Sequence, residues 1–369
     1  MKWFSARATS AIVPLLLLFT FSNMPYAEAA PIVINTVAEL QAMNSVGDYV
    51  LGRDIDAAGF NFIPIQARDS FDGTLNGNNY TISNLTISWS TYLDGLFNDL
   101  RGSVTNLGIV NANIGGDGDF AGTVAGVLDG GTIKNSYSTG SVSGHAFVGG
   151  LVGWNAGGQI SQSHSSASVS GNAYSGGLVE MNEGSIMQSY AMGSVTGGVD
   201  YEGAGTFVGG LVGANDPGVT MRGGSISQSY ATGALTGTSG YVGGLTGQNY
   251  GWTGLGGNAY LASITNSYWD TSTTGRSNRT GTVYPEVYTN ISGTQGLTTS
   301  QLKSGTLPAG FDPTIWSATP GQYPQLRLSA TEPSTTELSA TTAAILSNLD
   351  FKQPGLFSGK RYRARRSSE

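Results

Sequence analysis

One phrase, repeated, constrains this chain more than anything else in it. Residues 149–169 read "GGLVGWNAGGQISQSHSSASV", and residues 176–195 read "GGLVEMNEGSIMQSYAMGSV". Further copies start at Gly209 and Gly243, and a degenerate one starts at Gly122. Aligned, they give three apolar columns. The first is Val124, Leu151, Leu178, Leu211 and Leu245; the second is Ile133, Ile160, Ile186, Ile226 and Ile264. The third is Val142, Val169, Val195 and Leu235, and it fades at Thr273. The second-to-third gap is nine residues wherever the third column exists. Such short apolar segments, each followed by Gly, Asn or Ser, leave no room for paired helices, and their β-branched residues favour strands. A chain that turns three times in about 27 residues and then repeats can stack each strand on its equivalent one turn earlier. The expectation is an all-β parallel solenoid with about three short strands per rung of ~27 residues, each column an internal apolar stack.

Three polar files accompany the second column. Two residues after each Ile stands an amide (Asn135, Gln162, Gln188, Gln228, Asn266), then a serine (136, 163, 189, 229, 267). Four after each Ile stands a ring: Tyr137, His164, Tyr190, Tyr230 and Tyr268. Stacked at rung spacing these become an amide ladder, a serine file and a ring stack. They are expected to hold the coil together rather than to form a site.

The first-to-second gap is 9, 9, 8, 15 and 19 residues, so the last two rungs carry insertions at the same corner. One holds Asn215, Asp216 and Arg222, the other Tyr250, Trp252 and Tyr260, and the two should lie side by side. A third interruption, Gly197–Phe207, holds Asp200, Tyr201 and Glu202.

The flanks read differently. Residues 1–29 have the form of a signal peptide: Lys2 and Arg7, the apolar run Ala11–Phe19, and Ala27-Glu28-Ala29 before a cleavage point at Ala30. An uncleaved anchor is the alternative, but the run is short for a span. Residues 30–89 read as an N-terminal cap and first rungs, with a small helix at Ile34–Met43 capped by Thr36 and Glu39. The repeats occupy 90–275, and 276–328 reads as a C-terminal cap with a short helix and a terminal strand. Residues 329–369, Ser/Thr/Ala-rich and then basic, are expected to be a disordered tail.

Charge narrows the partners. Between Ala30 and Asp350 nine Lys/Arg stand against 22 Asp/Glu, a balance that disfavours nucleic acid. Residues 351–369 reverse it, with Lys352, Lys360, Arg361, Arg363, Arg365 and Arg366 against Glu369. The absence of cysteine excludes a disulfide framework.

The phrase "GGLVGxNxGxIxxSYxxGxVxG" resembles the GLUG motif of bacterial secreted and surface proteins, among them haemagglutinin-like adhesins and the non-catalytic part of IgA-cleaving metallopeptidases. The likeness covers roughly Phe71–Trp269, and "YVLGRDIDAAG", "FDGTLNGNNYTISNL" and "WDTSTTG" resemble the family's flanks. It implies a right-handed parallel β-helix and an exported product. It does not carry peptidase activity, because the histidines are His145 and His164 and neither begins an HExxH.

The expected function is a secreted or cell-surface, adhesin-like binding protein. Its ligand would be a carbohydrate or a cell-surface protein, met by Tyr250, Trp252 and Tyr260 as stacking platforms and Asn215, Asp216 and Arg222 as polar partners. These segments can also be read simply as long turns. One alternative is a polysaccharide-degrading lyase or hydrolase using Asp54, Asp56, Asp69 or Asp72, although "DIDAAG" and "FDG" are good turn sequences. A passive surface scaffold is another. No cofactor is expected, the one alternative being calcium at the Gly/Asp loop Gly115–Phe120. No Ser-His-Asp or Cys-His set is present, and His145 reads as a surface loop residue.

Overall fold

A computed structural model describes residues 30–88, 92–116, 118–198, 206–216, 218, 223–237, 241–253, 259–281 and 288–327, with the side chains of 67 and 68 excepted. The leader, residues 199–205, Arg222 and the tail beyond residue 327 lie outside the described residues.

The chain is a right-handed parallel β-helix. One rung shows its construction. Phe147–Gly149 leads through a Gly-Leu turn into Val152–Ala156; Gln159–Ser161 follows, then His164–Ser165 and Ser168–Gly171. Each strand pairs in parallel with its equivalent in the next rung, giving four long sheets of ten, 13, seven and six strands. We number them by content. Sheet 1 holds the isoleucines, sheet 2 the ring and valine positions, sheet 3 the strands after the leucines, and sheet 4 the short strands before them. The rung therefore has a fourth side beyond the three expected from the columns. Its strands are two or three residues long and bury little inward, as Val148, Val208 and Val242 show, too little to register as an apolar segment.

The sequence alignment matches the observed register. Ile133, Ile160, Ile186, Ile226 and Ile264 pair in series, as do Val142, Val169, Val195 and Leu235. The leucine column is linked through its backbone, Leu151 N donating to Leu178 O at 2.8 Å and Leu211 N to Leu245 O at 2.9 Å. All these leucines and isoleucines are essentially inaccessible, each burial contributing about 1.5–3 kcal/mol. The third column ends where Asp270 caps helix α2 (Thr271–Thr274), so Thr273 is helical and not stacked.

The polar files are more specific than the sequence implied. Each file serine accepts from the next rung below: Ser136 N donates to Ser163 Oγ at 3.2 Å, Ser163 N to Ser189 Oγ at 3.2 Å and Ser189 N to Ser229 Oγ at 3.1 Å. Each hydroxyl donates to the carbonyl two residues before it, so the buried ladder is closed at every step. The amides occupy the corner between sheets 1 and 2 with left-handed backbone, φ 49° at Asn135, 51° at Gln162 and Gln188, 46° at Gln228 and 45° at Asn266. Their ladder is in pieces: Asn135 Nδ2 donates to Asn106 Oδ1 at 3.1 Å, while Gln228 Oε1 accepts from Asp312 N at 2.8 Å.

Non-repeated chain flanks the coil at both ends. Helix α1 (Val37–Gln41) has the expected capping box of Thr36 and Glu39 and buries Leu40. It does not cover sheet 1, whose outermost strand is Ile32–Ile34, with Ile32 and Val33 half exposed and Pro31 just before it. At the other end lie helix α3 (Thr299–Leu302) and the paired strands Trp316–Ser317 and Gln325–Leu326. They fold back against the side of the coil over Tyr190, Tyr230 and Tyr268. Asp270 ties this segment down, Oδ2 accepting from Thr299 Oγ1 and the Tyr323 hydroxyl, each at 2.7 Å. Burial, helped by that bond to the Asp270 carboxylate, pushes the Tyr323 phenol up to about 12.

Candidate binding surfaces

The two late insertions do lie together. Tyr250 N donates to Asn215 O at 3.0 Å, and the backbone of Gly223 sits directly against Leu261. The longer insertion forms a hairpin in which Trp252 pairs with Tyr260 and Thr253 with Ala259. The two rings are 5.8 Å apart at 38°, and both, like Tyr250, are partly exposed. Partly exposed aromatic pairs are the kind of surface that suits sugar rings and protein anchors alike.

Asn215 must be removed from that group. It is fully buried inside sheet 3, in an asparagine ladder: Asn155 Nδ2 donates to Asn182 Oδ1 at 2.7 Å, Asn182 Nδ2 to Asn215 Oδ1 and Asn215 Nδ2 to Asn249 Oδ1, each at 2.8 Å. The signal for this was an asparagine four residues after each leucine of the first column (Asn155, Asn182, Asn215 and Asn249), a fixed offset that belongs to the coil, not to an insertion. Asp216 is partly buried and accepts from Gly218 N, a turn-closing bond; burial pushes its carboxyl up. Arg222 lies outside the described residues.

The N-terminal aspartates are engaged one by one. Asp54 accepts from Thr81 N and Oγ1, Asp56 from Ala58 N and Asn84 Nδ2, Asp69 from Ser70 N and Asp72 from Ser70 Oγ. The Asn84 and Ala58 bonds hold the Asp56 carboxyl below its ordinary value. A different carboxylate is perturbed nearby. Burial pushes Asp99 up to about 6 against the pull of Arg101, with Asp129 and Asp72 adding to the rise. Arg101 bridges Asp99 at 3.2 Å and Asp129 at 2.9 Å. In the Gly115–Phe120 loop, Asp119 faces the exposed His145 at 3.6 Å.

Two features escaped the sequence reading. The first is a second ring stack, on the outer side of sheet 4. Phe120, Phe147, Tyr174, Phe207 and Tyr241 follow one another at 4.6, 5.1, 5.4 and 5.3 Å, with planes 9–21° apart. Beyond Phe120 the file is partly exposed. Trp154 lies 5.6 Å from Phe120 and widens the file into a band with Val127. The signal was present: each ring stands four residues before a member of the leucine column.

The second is Glu180. The strands of sheet 4 pass so close to sheet 3 that a Cβ on Gly153 would stand 2.7 Å from Gly126 O and 2.9 Å from Ala121 N. Gly213 and Gly247 obey the same constraint, and Glu180 stands in their register. Its carboxyl is fully buried with no hydrogen-bond partner at either oxygen. Burial, then the charges of Asp216 and Glu183, raises it well above the ordinary carboxylate range. Glu183 is itself buried and accepts from Trp154 Nε1 at 3.0 Å.

Among the described residues no three His, Asp or Glu side chains are grouped as metal ligands, and no helix is long and apolar enough to cross a membrane.

No family model matches the chain. A stretch of 140 residues is 37% identical to halomucin of Haloquadratum walsbyi (strain DSM 16790 / HBSQ001), covering 33% of this chain and 2% of that protein. Among solved structures, the chain is similar to a candidate immunoglobulin A1 protease from Bacteroides ovatus, with a TM-score of 0.60 and 24% identity over 81% of this chain and 93% of that one. It is also similar to a chain named IgA1 protease, with a TM-score of 0.57 and 23% identity over 70% of this chain and 21% of that one. At these identities the likeness is one of fold: a long parallel β-solenoid with few helices.

Proposed function

We propose that this is a GLUG-repeat protein of the cell exterior, secreted or surface-held after loss of residues 1–29, and that it works as an adhesin-like binding protein. Its β-helix is the support, and the ligand, a carbohydrate or a cell-surface protein, meets the hairpin at Tyr250, Trp252 and Tyr260 beside Asp216. One observation carries the reading. The recurring polar side chains Asn155, Asn182, Asn215, Ser163, Ser189 and Ser229 are spent inside the coil, whereas Trp252 and Tyr260 meet as a partly exposed pair where the repeat is broken. The likeness to halomucin and to the named proteases agrees with an exported β-helix, and the sequence has no HExxH with which to act as a metallopeptidase of that type.

The mature chain should bind a subset of glycans on an array, or intact cells, and Trp252→Ala should weaken that binding about tenfold or more, the loss expected of an aromatic anchor. Equal binding by both proteins removes the hairpin as the site. Binding by neither removes the adhesin reading.

A second reading, a polysaccharide-degrading enzyme, draws support from Asp99, a carboxylate raised to about 6 beside Asp72 and Asp129. It requires new reducing ends or unsaturated products from a polysaccharide panel, with and without calcium, abolished by Asp99→Asn.

A further inference from the structure

Sheet 1 begins at Ile32–Ile34 and finishes at Thr289–Ser292, its strands parallel throughout, and the two ends match. Its inner column reaches further than the five isoleucines. Ile32 pairs with Tyr49, Tyr49 with Leu75 and Leu75 with Val104 at one end; Ile264 pairs with Ile291 at the other. Tyr49 is 4% exposed and Leu75 0%, but Ile32, in the same inward register, is 53% exposed. A residue on the inner register gains its burial from the strands on both sides, and among the described residues sheet 1 has no strand beyond Ile32–Ile34.

The backbone at the two ends is complementary. Along a parallel strand, alternate residues turn N–H and C=O to opposite neighbours. Gly52 N donates to Ile34 O at 2.9 Å, so Ile32 and Ile34 face the coil and Val33 turns N–H and C=O outward. Ala262 N donates to Tyr288 O at 3.2 Å and Asn266 N to Ser292 O at 2.9 Å, so at the far end Ile291 is the residue turned outward. A second copy that continues the column places Ile32 opposite Ile291 and Val33 opposite Ser292. Val33 N then donates to Ile291 O, Ile291 N to Pro31 O and Gly293 N to Val33 O, the last as Asn135 N does to Ser161 O inside the coil. Pro31, with no N–H, gives up the bond that Gln159 N makes to Gly131 O in the same place.

Charge chooses which ends meet. Residues 30–60 carry Glu39, Asp48, Asp54 and Asp56 against Arg53; residues 271–303 carry Arg276, Arg279 and Lys303 against Glu286. Opposite signs draw an N-terminal end to a C-terminal one, and like signs oppose the pairing of two N-terminal ends.

We propose that copies of this chain join head to tail through sheet 1, Ile32–Ile34 of one continuing the sheet beyond Thr289–Ser292 of the next. Such a contact leaves a free edge at each end of the pair and so repeats into open rows of coils. It is independent of what the Trp252 hairpin binds.

The chain has no cysteine, so a placed pair reports the register without background. Val33→Cys and Ser292→Cys stand opposite one another across the joint, within disulfide reach of adjacent strands. Under mild oxidation, the chain from Ala30 onward with both changes should give a ladder of linked dimers, trimers and longer rows. A mixture of the two single variants should stop at the dimer, and neither alone should link. Sedimentation of the parent should show size growing with concentration, with association about tenfold weaker in about 0.5 M NaCl. Val33→Pro should weaken it about tenfold as well, and should melt with the parent, because the Val33 N–H points away from the coil. Should Val33→Pro fail to fold, the mixed cysteine variants still decide. Dimers from Val33→Cys alone would show two N-terminal ends pairing and would overturn the proposal. So would a double-cysteine chain that stays unlinked, or a parent that sediments as a monomer at every concentration.

Discussion

Two ring files run along this coil at the same spacing and end in opposite surroundings. On sheet 2, Tyr137, His164, Tyr190 and Tyr230 stack at 5.2, 4.3 and 4.9 Å with planes 6–7° apart. On sheet 4, Phe120 to Tyr241 stack at 4.6–5.4 Å with planes 9–21° apart. The rung period produces both, because identical positions one turn apart must face each other. What separates them is the C-terminal segment. Phe311 and Trp316 seal the sheet 2 file, and its phenols find carbonyls there: Tyr230 donates to Pro324 O at 2.7 Å and Tyr268 to Ala309 O at 2.6 Å. The sheet 4 file, with three phenylalanines in five rings, has few such tips to satisfy and beyond Phe120 stays partly exposed. Repetition makes the stacks; a single non-repeated segment decides which becomes core and which remains surface.

The hardest way to break this contrast is Tyr230→Ala. It removes a fully buried ring that stacks on Tyr190 and lies against Trp316, and should cost about 3–5 kcal/mol. Urea unfolding should show the loss, and residues 299–327 should become protease-sensitive first. A loss below about 1 kcal/mol would mean that the segment does not depend on the file.

A middle-sized test concerns sheet 3, over which the strands of the open file pass. Glu180 holds a buried, unpartnered carboxyl in the register of glycines over which sheet 4 passes. Its folded-state pKa is raised above the unfolded value. The folded state therefore holds the proton more tightly, and stability is greatest in acid and falls as pH climbs from the ordinary carboxylate range through the raised value. Glu180→Gln should flatten this decline, and Glu180→Gly, which restores the glycine, should stabilise the protein at pH 8 by about 1–3 kcal/mol. Parallel stability profiles for parent and variants between pH 4 and 8 would show that Glu180 does not titrate in the way its burial requires.

The finest comparison makes one change in both files. Tyr230→Phe deletes a buried hydroxyl and strands the Pro324 carbonyl, for about 1 kcal/mol. Tyr174→Phe, on the open file, should stay within about 0.5 kcal/mol. Equal shifts in melting temperature would erase the distinction drawn here.

Much of this was legible in the residues. The register of the isoleucine and valine columns, the serine file, the ring stack of sheet 2 and the capping box at Thr36 follow from spacing alone, because each is a local rule repeated at a fixed period. The sheet 4 stack obeyed an equally regular offset but hid in strands too short to show alternation. Asn215 was misplaced for the opposite reason. Its neighbours are an insertion, but the residue itself keeps the period of Asn155 and Asn182 and so lies inside.

By itself, then, the sequence determined the coil: its period, its columns and which polar residues stack, since every rung repeats the same short-range choice. Only the tertiary structure decided the rest. Where residues 299–327 fold back and which ring file they seal are long-range contacts made by unrepeated chain. No periodicity encodes them, because each occurs once and is fixed by the shape of the surface on which it lands.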